Sequence, residues 1–284
     1  MNFRVQILCC IDNSWPTILI NGMVSRPVTD FRANPSNLRT YAQCRLKFKL
    51  LVLDRLDKDY PAKGAALAFG SNIHETLRDF FVLGPRLRSE QKLLEIAQRI
   101  FRLNPERFES KEELLGHWER ANVTLQQFAQ NEDLTARPVL VEQNLYRNFD
   151  DFTMSGKIDR IDREPDGLYR VIDYKTGKPR PERLPLQIYA ALAADHYKVD
   201  ELRVSYLYLE SDACNWVTEH ASRDFVDEGI DEVRRRMAEI RAETEFAAQL
   251  GPLCGWCQFL PICDEGRAYL DSRPTPLTQE ELPI

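Results

Sequence analysis

The sequence has no apolar run near the ~20 residues that a membrane-spanning helix needs, so no helical span is expected. It lacks the pattern G-x-x-x-x-G-K-[ST], the loop whose backbone cradles nucleotide phosphates, so it carries no ATP motor of that kind. It has no internal repeat and no low-complexity tract. It also lacks an excess of positive charge. The net charge is −6 and the sequence pI is about 5.4, which argues against a uniformly basic coat for nucleic acid. A local basic channel is still compatible with that total, because what counts is where Lys and Arg cluster. The first residues, Met1-Asn2-Phe3-Arg4, lead into a short apolar stretch broken by Asp12 and Asn13, which makes a poor signal peptide. The seven cysteines are an odd number and do not suggest a secreted disulfide scaffold. A reducing, cytoplasmic setting is the expectation.

Hydrophobic residues make up 43% of the 284, enough for a substantial core. Residues 1–33 show weak periodicity and read as an extension or an early strand, with Met23 as an alternative start. Organised sequence begins at Asn34 and is read as one domain over 34–284. Ser36 is taken as the cap of a helix in which Leu38, Tyr41, Cys44, Leu46 and Phe48 recur at helical spacing. Arg45, Lys47 and Lys49 flank that helix as a basic cluster. Residues 62–70 read as a loop into a helix starting at Ser71, whose apolar stripe is Ile73, Leu77, Phe80 and Phe81; His74 lies at its inner edge. Residues 89–131 read as helices broken at Asn104-Pro105 and at Gly116. Arg99, Arg102 and Arg107 on them are read as a solvated face rather than a groove. Val139, Val141, Gln143 and Leu145 alternate as a strand. A helix over 184–196, strands over 201–210 and 216–221, and a long helix over 225–250 follow. This order implies a mixed α/β core, about 137–222, with an inserted helical region, about 71–133.

The centre of the pattern is the stretch 154–162 and its continuation 171–178, two strands joined by the turn Glu164-Pro165-Asp166-Gly167. In the second strand Asp173 and Lys175 share a face. If the hairpin is centred on Asp166, Asp159 lies directly opposite Asp173, with Cβ atoms roughly 5 Å apart. Two like charges at that spacing are destabilising unless something offsets them. A divalent cation with hard oxygen ligands, Mg²⁺ or Mn²⁺, is the obvious offset. Ordinary solvated acids are the plainer reading of either aspartate alone, but a poorer one for Asp, Asp and Lys converging within apolar strands.

The C-terminal region reads Cys254-Gly255-Trp256-Cys257-Gln258-Phe259-Leu260-Pro261-Ile262-Cys263, a C-x2-C-x5-C spacing. Thiolates so placed select an iron–sulfur cluster or Zn²⁺, and spacing alone does not separate the two. Cys44 is the best fourth ligand. Cys9, Cys10 and Cys214 have no such pattern. The long helix and these cysteines form a clasp over 225–270.

Four ordered features carry a family resemblance: Ser36-x-Leu38-x-x-Tyr41-x-x-Cys44, Gly70-Ser71-Asn72-Ile73-His74-Glu75, Gly156-Lys157-Ile158-Asp159-Arg160-Ile161-Asp162 followed by Asp173-Tyr174-Lys175-Thr176-Gly177, and the cysteine tail. Together the chain resembles the RecB-like branch of the PD-(D/E)XK nucleases, in particular its iron–sulfur members, the AddB-type nuclease domains and CRISPR-associated RecB-like exonucleases. The resemblance implies a restriction-endonuclease-like mixed sheet with a C-terminal iron–sulfur clasp. It implies that His74, Asp159, Asp173 and the backbone carbonyl of Tyr174 hold a catalytic Mg²⁺ or Mn²⁺, with Lys175 as the motif lysine. It implies a [4Fe–4S] cluster on Cys44, Cys254, Cys257 and Cys263. The implied activity is hydrolysis of DNA phosphodiester bonds, as an exonuclease on single strands or ends, beside a separate helicase or CRISPR adaptation protein. Two departures stand out. The third acidic position, often Glu, is Asp173. The family's Gln four residues before a Tyr is Pro185 here, with Gln187 only two before Tyr189, so a DNA-facing role for Gln187 and Tyr189 is a weak expectation. Tyr41 and Trp256 are candidate base-stacking residues, with core packing the plainer reading of both. The rival from another class is a non-catalytic DNA-end-binding module held together by its metal cluster.

Overall fold

The computed structural model describes residues 31–210 and 214–273, together with the backbone of a two-stranded ribbon, β1 (Ile18–Ile20) and β2 (Met23–Ser25). Five strands rich in β-branched and aromatic residues form one mixed sheet: β3 (Pro138–Asn148), β4 (Thr153–Arg163), β5 (Tyr169–Lys175), β6 (Leu202–Tyr208) and β7 (Asn215–Ala221). Their order across the sheet is their order in the chain. Every pair is antiparallel except β5–β6. A parallel pair needs a crossover, and the intervening helix over Arg183–Tyr197 supplies it.

Among the described residues, eight α-helices accompany the sheet. α1 (Pro35–Gln43) and the short α2 (Arg45–Phe48) lead the domain, and a π-helical turn follows at Lys49–Leu53. α3 (Ala65–Val82), α4 (Glu90–Leu103) and α5 (Lys111–Asn131) precede the sheet. α6 is the crossover; α7 (Arg223–Ala242) and α8 (Asp264–Asp271) follow the last strand. Side chains on opposite faces of the sheet join different cores. Ile158, Val171, Val204 and Tyr206 pack with Leu38 of α1, Ile188 of α6 and Val233 of α7. Ile172, Tyr174 and Leu207 pack with Ile73 and Leu77 of α3, Leu93 of α4 and Leu125 of α5. A strand covered on both faces has little room for solvated side chains, and residues 171–174 are all buried, Asp173 included.

Several boundaries differ from the sequence reading. α1 is capped by Asn34, not Ser36: the Asn37 amide donates to Asn34 Oδ1 at 2.8 Å, and Pro35 takes the first helical turn, where a missing N–H costs nothing. Phe31 and Ala33 are buried in the core, so the packed domain already includes residues upstream of Asn34. α3 starts at Ala65 rather than Ser71, because Ala-Ala-Leu-Ala is a run of strong helix formers. Gly116 does not interrupt α5, since tertiary packing on both sides of it outweighs the propensity of one glycine. α7 ends at Ala242, eight residues short of Leu250, because Glu243 Oε1 accepts the amides of Thr244 and Glu245 and turns the chain. Cys9 and Cys10 lie outside the described residues.

The glycines offer a direct test of this packing. A Cβ on Gly229 of α7 would lie 2.4 Å from the Cβ of Gln187 in α6, whereas one on Gly116 would meet nothing within 4 Å. Gly229→Ala is expected to destabilise the fold by about 1–3 kcal/mol. Gly116→Ala is expected to stabilise it by about 0.5–1 kcal/mol. Denaturant unfolding of the two variants checks both signs.

Candidate metal centre and cysteine clasp

The turn at 164–167 forms as expected, with the Gly167 amide donating to the Glu164 carbonyl and Gly167 at φ +88°. The β4–β5 register also follows it: Arg160 faces Ile172, Ile161 faces Val171, Asp162 faces Arg170. The ladder stops at Arg160–Ile172, one step before Asp159 and Asp173. There the Asp159 carboxylate takes over from the backbone. Its Oδ2 accepts the Tyr174 amide at 2.8 Å, while its Oδ1 lies 3.1 Å from Nδ1 of His74, which α3 brings down onto the sheet.

The cause is a kink in β3 and β4. Ile158 and Ile161 both enter the α1/α6/α7 core, although residues three apart in a regular strand point to opposite faces. β3 does the same, with Leu140 and Leu145 in that core. The kink falls at Glu142, which has φ +49°, and at Asp159. The flanking pairs Val141–Arg160 and Gln143–Ile158 place these two residues opposite each other. The register thus sets Glu142, Asp159 and Asp173 in a row across three adjacent strands. A non-glycine residue in the left-handed region is uncommon and costs free energy, and such residues gather at functional sites.

Glu142 is the residue that sequence reasoning missed. Ligand atoms of His74, Glu142 and Asp159 all lie within 4.8 Å of one another, the only such group among the described residues. His74 Nδ1 is 3.9 Å from Glu142 Oε1. The signal was available: the turn at Asp150-Asp151 pairs Asn148 with Thr153, and the same register carries Glu142 opposite Asp159. Asp173 is not within that group. Its Oδ2 instead stands 2.7 Å from Lys175 Nζ, on the shared face expected from alternation. Lys157 reaches the Glu142 carboxylate in a similar ion pair. Glu142 Oε2 and Asp173 Oδ2 are both buried, and the facing lysine ammonium is the counter-charge of each. An imidazole nitrogen with carboxylate oxygens is a donor set for a divalent cation.

The charges perturb one another. Burial drives Asp173 up to about 6, with Asp159 adding to the rise and Lys175 opposing it. Burial acts the same way on Asp159, but His74, the Tyr174 amide and Lys175 outweigh it and hold Asp159 below the usual carboxylate range. At His74, burial disfavours the charged ring, yet Asp159, Asp173 and Glu142 together raise its pKa. Tyr189 of α6 borders this site; burial first, then the charges of Asp173 and Asp159, push its hydroxyl well up. Gln187 does not. It is buried against α7, where its Nε2 donates to the Phe225 carbonyl at 3.2 Å. α6 turns about 100° per residue, so residues two apart cannot share a face. Tyr41 is also buried, hydrogen-bonded to Glu243, and is unavailable for stacking; Trp256 is 46% exposed.

A second constellation lies away from the sheet. Cys44, Cys254, Cys257 and Cys263 line one cavity of about 200 Å³ with Leu46, Leu50 and Leu260. All four are free thiols. Backbone amides point at two of the sulfurs: Lys47 and Gln249 donate to Cys44 Sγ, and Gly266 donates to Cys263 Sγ. At Cys263 burial outweighs the Gly266 amide and raises the thiol's pKa, and burial raises that of Cys257 as well. No three of the sulfurs fall within 4.8 Å of one another.

A mixed sheet sandwiched by helices, with acids, a histidine and a lysine gathered where its central strands part, has the layout of a metal-dependent nuclease domain. The chain belongs to the PD-(D/E)XK nuclease superfamily, whose family model matches residues 32–264. Its fold is similar to that of a protein from Eubacterium rectale, provisionally described as an exonuclease. The TM-score is 0.52 at 12% identity, covering 87% of this chain and 91% of that one. The solved structure of SSO0001 is similar at a TM-score of 0.31 and 19% identity, over 73% of this chain and 85% of that one, too low to carry an argument. No curated protein matches the sequence. Among the described residues no helix is long and apolar enough to cross a membrane.

Cation binding needs His74 and Asp173 without their protons, and both groups hold them more tightly than usual. Mn²⁺ affinity measured by calorimetry should therefore rise as pH climbs from about 5 to 8. Glu142→Gln should lower it at the upper end by roughly ten-fold or more. An affinity flat across that range would contradict this description of the site.

Proposed function

We propose that this chain is a DNA nuclease of the RecB-like branch, hydrolysing phosphodiester bonds of single strands or DNA ends with Mg²⁺ or Mn²⁺. The observation that carries the reading is the row Glu142, Asp159, Asp173, with His74 and Lys175 attached to it by ion pairs. In this reading His74, Glu142, Asp159, Asp173 and the Tyr174 carbonyl hold the cation. A divalent cation there supplies Lewis acidity to the scissile phosphate and makes water a better nucleophile. Lys175 is the group that orients the water and stabilises charge developing on the phosphate. Its ammonium lies beside Asp173 and 5.0 Å over the Tyr206 ring, so packing aims it before substrate arrives. Asp159 Oδ1, 3.1 Å from His74 Nδ1, holds the ring's orientation before a cation arrives.

The four cysteines hold a [4Fe–4S] cluster in this proposal, with Zn²⁺ as the competing occupant. What supports a shared occupant is that the four sulfurs line one cavity, which either centre would satisfy. The cluster would tie Cys44, early in the domain, to the start of α8. Free cysteines fit a reducing, cytoplasmic compartment; action beside a separate helicase or CRISPR adaptation protein belongs to the same proposal. A purely structural DNA-end-binding module has no use for Lys175 beside a carboxylate row.

Digestion of DNA carrying 5′ or 3′ labels tests the reading. The wild type with Mn²⁺ should release short products. Lys175→Ala and Asp173→Ala should lose about 10²–10³-fold or more in rate while still binding DNA. Intact DNA after incubation with cluster-loaded wild type would refute the enzyme. A brown protein with visible absorbance and bound iron supports the cluster; a colourless protein with bound zinc replaces it.

A further inference from the structure

The loop that follows Lys175 is not accounted for by the metal site. Residues 177–183 read Gly-Lys-Pro-Arg-Pro-Glu-Arg and are all exposed. Exposed loops are ordinarily free to wander, but this one is strapped down at two points. The Arg180 amide donates to the Tyr208 hydroxyl at 3.1 Å, and the Tyr206 hydroxyl donates to the Glu182 carbonyl at 2.8 Å. Both tyrosines stand on β6 beside the catalytic strand, in register with Lys175 and Asp173. Both bonds use loop backbone, leaving the side chains of Lys178 and Arg180 free. Pro179 and Pro181 bracket Arg180 and hold it extended. The loop therefore crosses the carboxyl ends of the parallel pair β5–β6, where ligands bind in open α/β sheets.

The charges around it single out two residues. Arg39 of α1 is neutralised by Glu182 at 3.1 Å, and Arg183 by Glu228 at 2.8 Å. Arg120 of α5 is paired with Glu210. Lys178 and Arg180 have no ion pair and no side-chain hydrogen bond among the described residues. The chain as a whole is acidic, so its overall field does not recruit a polyanion; uncompensated cations near the site must do so. Lys178 is three residues past Lys175, so their Cα atoms are within about 10 Å, a span of a few nucleotides at most.

We propose that Lys178 and Arg180 form a phosphate clamp that grips the single-stranded DNA backbone beside the scissile bond and sets its register over Lys175. They are positioning residues: they hold phosphates that do not react. The inference rests on the nuclease reading and specifies how that site holds its substrate.

The test is fluorescence anisotropy of a labelled oligothymidylate with the full chain, in chelator so that nothing is cut, from about 50 to 200 mM salt. Lys178→Ala/Arg180→Ala should bind about ten-fold more weakly at the low end, and its slope of log affinity on log salt should shrink by about 1.4, two phosphate contacts on a single strand. Lys178→Arg/Arg180→Lys, which keeps both charges, should retain the wild-type slope. With Mn²⁺ restored, the alanine variant's defect should appear chiefly as a raised KM for DNA, while Mn²⁺ affinity stays at the wild-type value. An unchanged affinity and slope in the alanine variant would overturn the clamp and leave the nuclease reading standing. Failure of the wild type itself to bind would instead count against the nuclease reading, and the clamp would fall with it.

Discussion

The hydrogen bond from the Tyr174 amide to Asp159 is the interaction on which the candidate site depends. Three adjacent strands bring a carboxylate each to one line, which electrostatics alone opposes. The strands also part there, which frees a backbone amide from the ladder. A side-chain carboxylate that accepts the amide released by the parting strand meets both demands. The amide keeps a partner, as a buried donor must, and the carboxylate is held with one oxygen turned toward His74. The left-handed Glu142 on the neighbouring strand is the backbone counterpart of the same kink.

The helical layer is organised around that point. α3 carries His74 on a helix whose opposite side packs on α4 and α5, so the imidazole is placed by a large apolar core rather than by a loop. The segment after Lys175 is pressed toward the same helix: a Cβ on Gly70 would lie 3.2 Å from Thr176 Oγ1. Arg88 gathers carbonyls of Phe81, Leu83, Leu134 and Ala136, joining the end of α3 to the segment that enters β3. Burial lowers its pKa, with Arg160 acting in the same direction. The cysteine cavity joins α2 to α8. Gln258 donates to the Tyr60 carbonyl, which ties that region to the loop leading into α3.

Much of this was legible in the residues. The period-two alternation of 171–175 gave the shared face of Asp173 and Lys175, and Pro-Asp-Gly gave the turn and hence the register. Local rules suffice for such features because a tight turn and a pleat leave few alternatives. The helix ends were read less well, because capping by Asn34 and Glu243 depends on side-chain geometry that many residues of similar chemistry would satisfy. Gln187 was misplaced for a related reason. Its position in a helix was clear, but which face of α6 looks at α7 is settled by the close approach at Gly229.

By itself the sequence determined the alternation of the strands, the hairpin register, the order of motifs and the spacing of the cysteines, all of which follow from local covalent geometry. Only the tertiary structure decided that Asp159 bonds the Tyr174 amide instead of pairing with Asp173, that Glu142 joins the row, and that four sulfurs separated by up to some two hundred residues share one cavity. Each of these depends on two chain segments meeting under the packing of a common core. No local pattern encodes that meeting, because the free energy that drives it comes from burial distributed over the whole domain.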